Sequence, residues 1–220
     1  MHSRPAAEFA ETHSAAGFSV GTRGTGAVMG KGRMEAFSDG VIAVIITIMV
    51  LEMKVPHGAD WAALAPVLPV FLVYVLSFAN IGIYWNNHHH LLHSVEHISG
   101  AAMWANLHLL FWLSLIPFVT GWMGENHYAA LPTAIYGGVL LLAALAWQPL
   151  QRSLIAANGG ADSRLARAVR GDIKGKVSIV LYALGVALAF ANQWVSDALY
   201  VLVALMWLMP DRRIERVLPQ

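Results

Sequence analysis

Two clusters of polar residues in this chain could do chemistry, and both sit beside apolar runs. In "YWNNHHHLLHSVEHISG", His88, His89, His90, His93 and His97 crowd into one short segment. Neutral imidazole suits iron and zinc, and on a continuous helix His89, His93 and His97 share a face at a spacing compatible with a metal pair. A histidine-ligated membrane metalloenzyme needs further ligands from other segments. Outside the cluster only His108 and His127 lie in or near apolar runs, and they belong at opposite ends of the molecule. The expectation is therefore no bound metal, no cofactor and no catalytic residue. The histidines are read as structural hydrogen-bonding groups, with regulatory or adventitious metal and proton binding as the alternative.

The second cluster is "RMEAFSDG", where Arg33, Glu35, Ser38 and Asp39 precede a run from Gly40 to Leu51 that is apolar apart from Thr47. A carboxylate within a membrane helix is costly unless it faces protein or water and has partners. Arg33 lies beyond the three- or four-residue spacing of helical contacts from Asp39, so Asp39 should reach Ser38, backbone groups or another helix. The alternative is a plain N-terminal cap, favoured by the positive end of the helix dipole.

These clusters need elements to hold them. Hydrophobic residues make up 57% of the chain and charged ones 12%, against roughly 45 to 50% and about 25% in soluble chains. Six apolar runs, roughly 34–52, 64–87, 101–123, 130–150, 174–193 and 196–209, approach the length needed to cross a bilayer. The expected organisation is a disordered cytoplasmic tail over 1–30, a six-helix transmembrane domain over 31–210 and a short cytoplasmic tail over 211–220. The first 30 residues are too poor in large apolar groups to fold and lack a signal-peptide core. Cysteine is absent, which excludes disulfides. Of the 14 basic residues all but Lys54 fall on one side of a six-crossing arrangement. The positive-inside bias then places both termini in the cytoplasm. The basic loop over 152–176 sets topology, with binding of anionic lipid headgroups as its alternative role.

On the first helix Asp39 shares a face with Ala43, Ile46 and Val50, whereas Gly40, Val44, Thr47, Ile48 and Leu51 form another stripe. If the Asp39 side turns to its own subunit, the second stripe is free to meet lipid, a neighbour or an axis. In the third run Asn106 needs a bond to another helix, and Pro117 is expected to kink the helix. Trp61, Trp85, Trp122 and Trp194 fall near run ends, as aromatic belts do.

"RMEAFSDGVIAVIITIMVLEMKVP", followed by "YWNNHH" and "WANLHLLFWLSLIPF", resembles the prokaryotic branch of the transmembrane protein 175 potassium channels. Arg33, Phe37, Ser38 and Asp39 match that family's signature, with Thr47, Leu51, Val55 and Pro56 downstream. The resemblance implies an all-α membrane protein of six helices per chain, a homotetramer whose first helices surround a central pore. Partners would be three identical subunits and membrane lipids, with no nucleic acid. It implies that Arg33, Phe37, Ser38, Asp39, His88, His89 and Asn106 lock the first helix to its own subunit. Val44, Thr47, Ile48 and Leu51 would line the pore, with Val44 at a hydrophobic constriction where relatives usually carry isoleucine or leucine.

No "TVGYG" filter exists here. A ring of aliphatic side chains can close a pore by dewetting, and modest discrimination of potassium from sodium would come from partial dehydration and from Thr47. The Thr47 hydroxyl has a competing use, bonding back to the Ala43 carbonyl. The expected function is thus passive cation conduction across the cell membrane, not enzymatic, with potassium as permeant. The alternatives are a secondary cation or proton transporter and, behind it, the histidine-ligated metalloenzyme.

Overall fold

In the computed structural model, residues 30–169 and 172–209 are described. The expected tail over 1–30 (apart from Gly30) and the terminal segment 210–220 lie outside the described residues. Among those described, eight α-helices account for nearly all regular structure: α1 (Lys31–Leu51), α2 (Leu68–His93), α3 (Gly100–Ser114), α4 (Ile116–Glu125), α5 (Ala130–Ala157), α6 (Arg164–Val169), α7 (Ile173–Leu188) and α8 (Gln193–Leu208). Short 3₁₀ turns at Trp61–Leu64 and Gly160–Asp162 fill two connections.

The third apolar run is broken as expected. Pro117 sits in the first turn of α4, its ring unable to donate to the carbonyl four residues back. The chain passes from α3 to α4 through Leu115 alone. Together Gly100–Glu125 form one of four apolar segments long enough to cross a membrane, with α1, α2 and α5. α8 is apolar but 16 residues long, as is α7, which opens with Lys174 and Lys176. At about 1.5 Å per residue each is about 24 Å long, the short end of what crosses a bilayer, and a tight turn through Ala189 and Asn192 folds the two into a hairpin. The expected runs of 174–193 and 196–209 therefore end and begin early.

Two helices outrun their apolar stretches. α2 continues through the histidines to His93, and α5 continues past Arg152 to Ala157. Hydropathy marks where lipid stops, whereas a helix stops where caps and packing stop it.

α5 is central, packed on α3, α4, α7 and α8, with Leu140, Ala143, Ala146 and Leu150 wholly buried. α1 lies at the edge against α2, α3 and α4. Its buried stripe is Met34, Ser38, Ile42, Ile45 and Met49, the three- and four-residue spacing of one helix face.

Candidate functional site

That stripe is the inward face of α1. The sequence leaves open whether the side shared by Asp39, Ala43, Ile46 and Val50 turns to its own subunit. In the structure Ala43 and Val50 are exposed, and Asp39 and Ile46 are half-buried at the margin. Ser38 is the inward polar residue, fully buried. A hundred-degree step separates neighbours on a helix, so the serine enters the core and the aspartate is left at its edge.

Ser38 anchors a three-helix network. Its hydroxyl donates to the Met34 carbonyl at 2.8 Å and accepts from Asn106 Nδ2 of α3 at 2.9 Å. Asn106 Oδ1 meets His88 Nε2 of α2 at 2.7 Å. Ser38, Asn106 and His88 are all buried, and each partner satisfies what would otherwise be a costly polar group in an apolar interior. His89 extends the contact between α1 and α2, its Nδ1 lying 3.3 Å from Glu35 Oε1.

Asp39 finds its partner on another helix, accepting from the Trp85 indole Nε1 at 3.0 Å. Trp85 thus has a specific bond besides any role as a depth marker, which sequence reasoning missed. The signal was present in the pairing of a lone carboxylate with a nearby run-end indole. Arg33 and Phe37 are exposed and stand outside this network.

The histidine cluster does not form the expected single face. α2 ends at His93, and Ser94 turns the chain by bonding back to Leu91. Asn158, past the end of α5, then holds the backbone of Glu96 and His97. His89 and His93 remain on the helix with rings stacked at 5.9 Å, while His97 lies off it. Among the described residues, no three His, Asp or Glu side chains converge as metal ligands.

The other stripe of α1 is open. Val44, Thr47, Ile48 and Leu51 are exposed on the single chain, Val44 at 54% and Leu51 at 79%. Beside it Phe37, Gly40, Val44 and Ile48 face Ser114, Pro117 and Phe118 across an open apolar groove of about 730 Å³. The Thr47 hydroxyl is turned back on its own helix, donating to the Ala43 and Val44 carbonyls at 3.1 and 2.9 Å.

Sequence reasoning also passed over a polar set in the subunit interior: Ser77, Asn80, Thr120, Tyr136 and Tyr182 are buried, and so are the carboxyl oxygens of the half-buried Asp197. Asp197, an acidic residue within the last apolar run, was the available signal.

Among the described residues, an all-helical fold with four apolar segments long enough to cross a bilayer marks a polytopic membrane protein. Residues 33–117 match the family model described as "Endosomal/lysosomal potassium channel TMEM175". A potassium channel of Chryseobacterium sp. (strain P1-3) is 52% identical over 87% of this chain and all of its own length. A potassium channel of Streptomyces collinus is 37% identical over 79% of this chain and 89% of its own. The crystal structure of a lysosomal potassium-selective channel TMEM175 homolog from Chamaesiphon minutus superposes with a TM-score of 0.70 at 29% identity, covering 81% of this chain and 96% of that one. The chain belongs to the TMEM175 family, whose members matched here are channels and not enzymes.

Proposed function

We propose that the chain is a potassium channel of the cell membrane, assembled from four identical subunits whose α1 helices surround one axis. Each subunit crosses the membrane six times, with the α7–α8 hairpin supplying the last two crossings and both termini in the cytoplasm. The observation that carries this reading is the two-sided α1. One face is pinned to its own subunit through Ser38, Asn106 and His88, and the opposite face is apolar and bare. One helix cannot enclose a water column, so cyclic symmetry must supply the remaining walls.

In the tetramer Val44 forms a hydrophobic constriction, with Thr47, Ile48 and Leu51 lining the pore beyond it. The Thr47 hydroxyl, spent on Ala43 and Val44, contributes shape and not coordination. With no carbonyl filter, potassium passes more readily than sodium because it sheds water more easily at an aliphatic ring. Selectivity is therefore modest. No cofactor takes part, and potassium is the permeant species.

The test is reconstitution in liposomes, reading reversal potential with potassium on one side and sodium on the other. Passive current reversing toward the potassium equilibrium potential supports the reading, and Val44→Ala should then raise leak and admit larger cations. Flux that saturates and demands a proton gradient would instead identify a transporter.

A further inference from the structure

Away from α1, toward the end of the bundle where α2 finishes and α7 begins, lies a cavity of about 50 Å³ that the proposed pore does not use. Aromatic rings wall it, one from each of four helices: Tyr84 of α2, Trp147 of α5, Tyr182 of α7 and Trp207 of α8. The Tyr84 and Trp147 rings meet edge to face, their centroids 6.1 Å apart. Two of the walls are pinned by hydrogen bonds. The Tyr182 hydroxyl donates to Asn80 Oδ1 at 3.3 Å, and Trp207 Nε1 donates to Ser178 Oγ at 2.9 Å.

Asp172, the N-cap of α7, also lines the cavity and is half-buried, its Oδ1 accepting from the Gly175 amide at 2.8 Å. Among the described residues no lysine or arginine pairs with this carboxylate. Asn87 and Gln148 add side-chain carbonyls and Tyr84 a hydroxyl, and none of the three is spent on a hydrogen bond to another described residue. Ring faces, a carboxylate and unspent acceptors together favour a cation. The Trp207 ring already shows the chemistry: Lys174 Nζ, held by the Met209 carbonyl at 2.8 Å, stands 5.8 Å from its centroid. Lys174 itself does not line the cavity. The space is that of between one and two waters at about 30 Å³ each, which admits an aminomethyl group and turns away a trimethylated nitrogen. A primary ammonium also brings three N–H donors for the acceptors, whereas a quaternary one brings none.

We propose that this cavity binds a primary ammonium group on a short alkyl chain, carried by a lipid headgroup or by a soluble amine. The ammonium meets the Trp147 and Trp207 rings and donates to Asp172 and to the side-chain carbonyls of Asn87 and Gln148, while Ile83 and Ala144 receive its alkyl chain. Lys176 is exposed one helical turn beyond Asp172, so the phosphate of an ammonium-bearing lipid would find a positive charge on the same helix end. A soluble amine needs no such neighbour. The site shares no residue with α1 and does not rest on the channel reading.

The test uses the full chain purified in detergent, in buffer of constant potassium concentration. Ethylammonium chloride should raise the thermal midpoint and saturate, whereas equal concentrations of tetramethylammonium chloride or sodium chloride should not. Asp172→Asn keeps the cap on α7, because asparagine also caps, and should raise the apparent Kd by about tenfold or more. Trp147→Leu should raise it by about threefold or more. Native mass spectrometry of protein equilibrated with equal amounts of phosphatidylethanolamine and phosphatidylcholine of the same acyl chains then separates the two sources. Preferential retention of phosphatidylethanolamine that Asp172→Asn abolishes identifies a lipid headgroup. Saturable ethylammonium binding with no preference between the lipids identifies a soluble amine, and either result supports the site. Three results would overturn it: neither ethylammonium binding nor a lipid preference, tetramethylammonium acting as well as ethylammonium, or Asp172→Asn behaving as wild type in both assays. Where Trp147→Leu does not fold, Asp172→Asn, which removes only the charge, decides the matter. Absence of potassium flux in reconstituted protein would sink the channel reading and leave the binding result interpretable.

Discussion

At Ser38 a single hydroxyl serves two neighbours, donating to Met34 and accepting from Asn106, and through Asn106 it reaches His88. Ser38→Ala leaves the Asn106 amide without its acceptor in a buried site. We expect a loss of about 1 to 2 kcal/mol, read as a lowered midpoint when the folded protein is followed by size exclusion after heating. Thr47 is the contrasting hydroxyl, because its bonds stay within α1. Thr47→Val should leave the potassium-to-sodium reversal potential unchanged. A reversal potential that collapses toward zero would return the hydroxyl to the ion's coordination. The sequence made the polar cluster legible, but not which member turns inward. Ser38 and Asp39 are adjacent, and a helix separates neighbours by a hundred degrees, so only the packing of α2 and α3 decides between them. Asn106 was legible for a physical reason, as a polar group in an apolar run that had to be bonded to another helix, whereas His88 was singled out from its cluster only by the family resemblance.

At the scale of elements, close packing depends on glycines whose role composition does not disclose. A Cβ on Gly137 of α5 or on Gly185 of α7 would overlap the ring of Tyr200, itself fully buried on α8. A Cβ on Gly124 of α4 would come within 2.6 Å of the Val70 Cα on α2. Small residues at such crossings let backbones approach in lipid. Gly137→Ala and Gly185→Ala should each cost about 1 to 3 kcal/mol through overpacking. Gly138→Ala, whose Cβ would meet nothing within 4 Å, should be neutral, and thermal melts of the three variants check the contrast. Helix boundaries were legible where a residue forces them, as Pro117 does between α3 and α4. They were not legible at His93 or Ala157, where polar residues end the apolar run while the backbone hydrogen bonds continue. The His89, His93 and His97 face failed for the opposite reason: the helix stops at His93, and Asn158 holds His97 off it by its backbone.

At the scale of the whole molecule, the face of α1 that packs within the subunit is separable from the face that would meet the axis. The absence of cysteine makes the distinction measurable, because a single introduced thiol is then the only one per chain. Val44, Ile48 and Leu51 are exposed on the isolated subunit, whereas Ile45 and Met49, one position away, are buried against α2, α3 and α4. If four α1 helices surround one axis, Val44→Cys, Ile48→Cys and Leu51→Cys should each be modified from water by a cationic thiosulfonate, and modification should block potassium flux by placing charge in a narrow apolar ring. Ile45→Cys and Met49→Cys should react slowly and leave flux intact. Oxidation should add an independent sign, linking Leu51→Cys subunits in pairs across the axis while Met49→Cys chains stay single on a denaturing gel. A reversed pattern, with position 49 reactive and position 44 shielded, would place the bare stripe against lipid and move the pore elsewhere. Neither hydropathy nor helical period could choose between lipid and axis, because both leave an aliphatic stripe uncovered. What separates them is contact with water, and that is the property the thiol reports.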